Sequence, residues 1–191
     1  MRAVVGLRNP GPEYELTRHN VGHEVVRAVA ESRGERFSRR PSRLRCETVE
    51  TRVDSERVVL AAPLGYMNDS GPPVRALVDY FGVQRDDLLV VHDDIDLGFG
   101  RLRVQVGGGT GGHNGLRSVE RALGDRQFVR LKVGVGRPPG NMDPAAYVLR
   151  RFAQAERAEV DAMVADAARV VETWVTDREA ATRMAGERRV G

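Results

Sequence analysis

Arg2-Ala3-Val4-Val5-Gly6-Leu7 runs directly into Arg8-Asn9-Pro10-Gly11-Pro12, and Thr17-Arg18-His19-Asn20 then leads into Val21-Gly22. The apolar opening reads as a buried strand. Two prolines and two glycines fix the backbone from Gly6 to Pro12. From Val21 to Ser32 apolar residues recur at helical spacing, so the chain begins as strand, rigid loop and helix. A histidine and two carboxamides lie on or beside the loop. Histidine titrates near neutral pH, whereas Asn donates and accepts hydrogen bonds without titrating. A stiff loop with those groups reads as the start of an active site.

The same reading extends along the chain. Leu44 to Val53 and Arg57 to Ala62 are expected to form two strands turning at Asp54-Ser55. A helix is expected from Ser70 to Phe81-Gly82, with prolines in its first turn, where a missing N–H costs little. Further strands are expected at Asp87 to His92, Arg101 to Val106 and Phe128 to Val135. The glycine run 107–112 and a helix from about His113 to Leu123 fall between the last two. Val160, Met163, Val164, Ala167, Val170, Val171, Trp174 and Val175 form the apolar stripe of a long C-terminal amphipathic helix. Alternating strands and helices argue for one α/β domain over residues 1–191. The adjacent short strands of the first half make the central sheet mixed.

Composition excludes several classes. The 191 residues suffice for a proper core, and 41% hydrophobic with 30% charged residues is ordinary for a globular protein. No apolar run is long enough to span a membrane, and Ala3-Val4-Val5 is too short for a signal peptide. One cysteine, Cys46, precludes an internal disulfide and fits a reducing, cytoplasmic setting, with the thiol inert and half-buried. The net charge is only +3, but Arg33, Arg36, Arg39, Arg40, Arg43 and Arg45 crowd one loop, and Arg183, Arg188 and Arg189 mark the tail. Such clusters can contact phosphates or simply form a solvated face.

Four polar segments fall beyond strand ends or at helix starts, where sites in α/β folds collect. They are Asn9 with His19, Tyr66-Met67-Asn68, His92-Asp93-Asp94-Ile95-Asp96, and Gly112-His113-Asn114-Gly115. The glycine run meets the dinucleotide pattern almost by default, lies late in the chain and is followed by no Walker lysine. It is better read as backbone that approaches a ligand or strand closely. Asp93, Asp94 and Asp96 offer a magnesium reading, but Asp93 faces away from the other two if the strand persists, and a polar strand end serves as well. Among the histidines, His23 reads as structural and His92 as a core or orienting group. His113 begins a helix, whose dipole disfavours positive charge. His19 is the best general base.

Together these segments closely resemble the bacterial peptidyl-tRNA hydrolase family. Its patterns G-L-x-N-P-G-x-x-Y-x-x-T-R-H-N-x-G, F/Y-M-N-x-S-G, H-D-x-x-D-L, G-G-x-x-G-H-N-G-L and F-x-R-L-x-x-G-I/V-G-R-P are met in order by Gly6 to Gly22, Tyr66 to Gly71, His92 to Leu97, Gly108 to Leu116 and Phe128 to Pro138. The resemblance implies a cytoplasmic, monomeric enzyme that cleaves the ester between a peptide and the 3′ ribose of tRNA, with no cofactor, no metal and no obligate protein partner. It implies His19 as general base on water and Asp93 as the carboxylate that orients it. Asn68 and Asn114 would hold the peptide portion and the water, and Asn9 would separate N-blocked from free aminoacyl-tRNA. Tyr14 and Tyr66 would line the cleft near the terminal nucleotide, and Asn20 would be structural. Arg103 and Lys132 match basic positions for tRNA phosphates, with Arg130 and Arg137 as nearby candidates. Gln105, Gly65 and Arg8 depart from the family's usual lysine, threonine and small residue. A catalytically silent RNA-binding member is the alternative. A general carboxylesterase is disfavoured because no G-x-S-x-G elbow is present.

Overall fold

In a computed structural model covering residues 1–191, six strands form one mixed sheet. The elements follow as β1 (Arg2–Gly6), α1 (Val21–Ser32), β2 (Cys46–Val53), β3 (Glu56–Pro63), α2 (Gly71–Phe81) and β4 (Leu88–Asp94). After them come β5 (Leu102–Val106), α3 (Asn114–Leu123), β6 (Val129–Gly134), α4 (Pro144–Val148), α5 (Arg157–Thr176) and α6 (Arg178–Glu187). The sheet order is β2-β3-β1-β4-β6-β5. The inner strands β3, β1, β4 and β6 are parallel, and the edges β2 and β5 pair antiparallel to their neighbours.

Strand alternation divides the core in two. Val4, Leu89 and Val91 point to the face covered by α1, α5 and α6, whereas Ala3, Val5, Leu88 and Val90 point to the face covered by α2 and α3. Both faces are buried, so the inner strands read as continuous apolar runs. The C-terminal stripe is buried along α5 as its spacing requires. The helical region continues beyond α5, however. Asp177 interrupts it and caps α6 by accepting a hydrogen bond from the Ala180 N–H. Cys46 is fully buried rather than half-buried, and burial pushes its thiol up to about 12.

The site depends on one close approach. A Cβ on Gly22 would lie 2.2 Å from the carbonyl oxygen of Val91, and one on Gly6 would lie 2.4 Å from that of Gly22. The first turn of α1 therefore rests directly on β1 and β4. The preceding turn, Arg18–Asn20, is thereby held over the end of β4, where Asp93 lies.

Candidate active site

His19 and Asp93 meet at the carboxyl ends of the parallel strands. His19 Nδ1 lies 2.9 and 3.0 Å from the two Asp93 oxygens. A carboxylate can only accept, so Nδ1 carries the proton and the Nε2 lone pair is left free. His19 lines a cleft of about 370 Å³ together with Asp93, His92, His113, Arg137 and α4 residues Pro144, Ala145 and Val148. Burial opposes a charge on His19, but the Asp93 carboxylate and its hydrogen bond outweigh that, so the imidazole pKa is raised. Burial alone would raise the Asp93 pKa, yet His19 and His113 hold it well below the usual carboxylate range.

His113 is closer to the chemistry than its place at a helix start suggested. Its Nδ1 accepts the N–H groups of Gly115 and Leu116 at 3.1 and 3.3 Å, as an N-cap does. The ring's proton therefore sits on Nε2, which donates to Asp93 Oδ1 at 2.8 Å. His92 stands edge-on to His113, with ring centroids 5.2 Å apart. Its Nδ1 donates to the carbonyl of Asp93 at 2.8 Å, and its buried Nε2 has no partner. Burial, then the neighbouring His113, brings the His92 pKa down to about 3.

The carboxamides form a second group. Asn20 is structural: its Oδ1 accepts the Asn9 N–H at 2.8 Å and its Nδ2 donates to the Asn9 carbonyl at 2.9 Å. Asn9 is buried, and its Oδ1 accepts the Met67 N–H at 2.7 Å. Its Nδ2 has no partner within the chain. Met67 Sδ lies against Gly115, so the turn Met67–Asp69 packs on the start of α3. Asn68 and Asn114 are exposed neighbours of that contact. Tyr14 and Tyr66 pair edge-to-face, with centroids 6.3 Å apart and Tyr66 largely exposed. None of these residues lines the cleft onto which His19 opens.

The basic residues divide differently from expectation. Arg130 is not placed as a phosphate contact. It is completely buried, bonded to Glu120 and Gly109 at 2.8 Å, and cannot reach a phosphate. Lys132 pairs with Asp94 at 3.5 Å, and Arg137 with Asp96 at 2.5 Å. Those pairs give Asp94 and Asp96 cationic partners, which disfavours the magnesium reading. Arg103 is exposed beside Lys132 in the β5–β6 register. His19, Asp93 and His113 do offer three ligand atoms within 4.8 Å of one another. Their nearest atoms are already engaged in hydrogen bonds between imidazole and carboxylate.

An imidazole oriented by a carboxylate, with a free Nε2 on a polar cleft of an α/β sheet, is able to take a proton from a bound molecule. The family model for peptidyl-tRNA hydrolase matches residues 3–190. A peptidyl-tRNA hydrolase of Nocardia farcinica is 50% identical over 169 residues, covering 88% of this chain and 87% of its own. One from Mycobacterium avium is 48% identical over 172 residues, covering 90% of each. The crystal structure of peptidyl-tRNA hydrolase from Acinetobacter baumannii superposes with a TM-score of 0.92 at 29% identity, covering 100% of this chain and 97% of its own. The chain belongs to the peptidyl-tRNA hydrolase family.

Proposed function

We propose that this hydrolase cleaves the ester of peptidyl-tRNA with His19 as general base and Asp93 as its orienting carboxylate. The observation that carries this reading is the doubly contacted Nδ1 of His19, which leaves Nε2 free to take a proton. His19 Nε2 removes a proton from water as the water oxygen attacks the peptide's ester carbonyl carbon. The tetrahedral intermediate then expels the ribose oxygen, and the imidazolium returns its proton to that oxygen. Free peptide and tRNA leave. Asp93 holds the productive tautomer and stabilises the imidazolium, the base–orienter logic of hydrolytic triads.

Asn68 and Asn114 present exposed amides that can hold the peptide and polarise the carbonyl. A donor held in place at a developing oxyanion and shielded from water is worth about 3–4 kcal/mol. Asn9 has its oxygen engaged by Met67 and its Nδ2 free, which suits it to donate to the amide carbonyl that distinguishes a blocked peptide from a free amino acid. Tyr14 and Tyr66 offer faces for the terminal nucleotide. Arg103, with Lys132 and Arg137, would hold tRNA phosphates, contacts that position without reading sequence. No helix is long and apolar enough to cross a membrane. We read residues 1–191 as one domain acting as a cytoplasmic monomer. Single-turnover release of N-acetyl-amino acid from N-acetyl-aminoacyl-tRNA tests the assignment. Undiminished cleavage by His19→Ala would overturn it.

A further inference from the structure

Arg18, next to the catalytic base, is absent from every role above, yet its guanidinium is among the most heavily engaged groups in the molecule. It is buried, and its Nη1 donates to the carbonyls of Tyr147, Arg150 and Arg151 at 3.4, 3.3 and 3.1 Å. Its Nη2 donates to Glu156 at 3.3 Å. The guanidinium carbon lies 3.9 Å from the centroid of the Tyr147 ring and 5.3 Å from that of Phe152. All these partners belong to residues 147–156, the segment that carries the end of α4 and leads to α5.

The backbone follows the same route. The Arg18 N–H donates to the carbonyl of Arg150, Thr17 and Arg151 form an isolated bridge, and the Phe152 N–H donates to Leu16. Leu16 itself holds a left-handed φ of 62°, which is unfavourable for a residue with a side chain and persists only where the surroundings impose it. The helix α4 supplies Pro144, Ala145 and Val148 to the cleft wall facing His19, and it packs against the turn Arg18–Asn20. It is a five-residue helix, too short to be stable without tertiary support.

We propose that Arg18 is a positioning residue that latches the α4 wall of the cleft to the turn bearing His19. The planar fork satisfies carbonyls that no longer α-helix follows on to cover, and the Tyr147 ring stacks on its face, two tasks a lysine cannot combine. The latch sets the width of the cleft at the scissile ester. It leaves the base alone, because His19 is held separately by Asp93 and by the Asn20 clamp on Asn9. The inference takes the cleft to be the site of ester hydrolysis.

The test compares Arg18→Gln, Arg18→Lys and Tyr147→Ala, the last approaching the latch without altering the His19 turn. In the two disruptive variants, Arg18→Gln and Tyr147→Ala, KM for N-acetyl-aminoacyl-tRNA rises about tenfold, the size expected for losing a stacked, hydrogen-bonded guanidinium. The pH midpoint of kcat/KM stays in place, and amide exchange quickens across residues 144–152. Arg18→Lys falls between wild type and Arg18→Gln. The Arg18→Gln/Tyr147→Ala double variant raises KM no further than either single change. Unchanged KM with a lowered Tm would overturn the proposal, leaving Arg18 a stabilising residue only. A moved pH midpoint would also overturn it, by placing Arg18 in control of His19. Exchange is read without substrate, so a wild type inactive on this ester would overturn the hydrolase reading while the latch is still judged.

Discussion

His113 and His19 share one carboxylate: Asp93 Oδ1 takes His113 Nε2 at 2.8 Å, and Oδ2 takes His19 Nδ1 at 2.9 Å. The two rings lie 4.7 Å apart between centroids. His113 cannot turn away, because its Nδ1 is committed to the N–H groups at the start of α3. The carboxylate is therefore held by His113 as well as by His19, and its orientation is decided before substrate arrives.

Removing the base in His19→Ala should lower single-turnover cleavage by about 10²- to 10⁴-fold, the usual share of positioned acid–base catalysis. In the wild type, kcat/KM should rise with pH and level off once Nε2 is deprotonated. Because Asp93 raises the pKa of His19, the midpoint should lie above the ordinary histidine value of about 6.5. A pH–rate profile checks both.

Asp93→Asn leaves one acceptor oxygen where two imidazoles each donate. Loss of the orienting carboxylate should cost about 10²- to 10⁴-fold in kcat. The midpoint of the profile should also shift downward, since burial then acts on His19 without its counter-charge. A midpoint that stays in place would show that Asp93 does not govern the base.

His92 is held neutral by burial, and its pKa of about 3 lies below the unfolded value of about 6.5. The unfolded chain therefore binds the proton first. The stability due to this group is complete above the unfolded value and falls as pH drops toward the folded one. His23, brought to about 3 by burial and by Arg8 and Arg27, acts in the same direction. His92→Asn keeps a donor for the Asp93 carbonyl and removes the titration. Between pH 7 and 4.5, wild type should lose about 2 kcal/mol more stability than His92→Asn in urea unfolding.

Gly22→Ala places a methyl group 2.2 Å from the Val91 carbonyl oxygen. Overpacking of this kind costs about 1–3 kcal/mol or more, and relief requires lifting α1 from the sheet. The variant should unfold at lower urea and lose activity even where it remains folded, because His19 rides on that helix start.

Arg103→Gln should weaken tRNA binding and reduce the slope of log K against log salt by about 1. Arg130→Gln should leave that slope unchanged. It should instead cost about 1.5–3 kcal/mol of stability, because the bonds of the buried guanidinium to Glu120 and to the Gly109 carbonyl are lost. Binding isotherms across a salt series separate the two arginines.

That contrast marks how far the sequence could be read. The strand–loop–helix opening, the apolar strands and the α5 stripe were all legible because burial on both faces makes a strand a continuous apolar run and burial on one face gives a helix an apolar stripe. His19 and Asp93 were legible from their motifs. Arg130 was misread although strand parity places it on the same face as Phe128, toward α2 and α3, where Glu120 waits. His113 was undervalued because the dipole argument treats a helix start as a field alone. A neutral imidazole can cap the first turn with one nitrogen and serve Asp93 with the other. The break at Asp177 was hidden because the apolar period continues across it.

The contacts around the cleft close on themselves. Asn20 clamps Asn9, Asn9 holds Met67, Met67 lies on Gly115, His113 caps that same turn and grips Asp93, and Asp93 grips His19, the residue before Asn20. The ring draws on four separate stretches of the chain, Asn9 to Asn20, Met67, Asp93 and His113 to Gly115, so no single one of them contains a working piece of the site. Hydrolysis then serves as a built-in reporter of completed folding: a chain on its way to the native state, or partly unravelled from it, has the residues but not the enzyme.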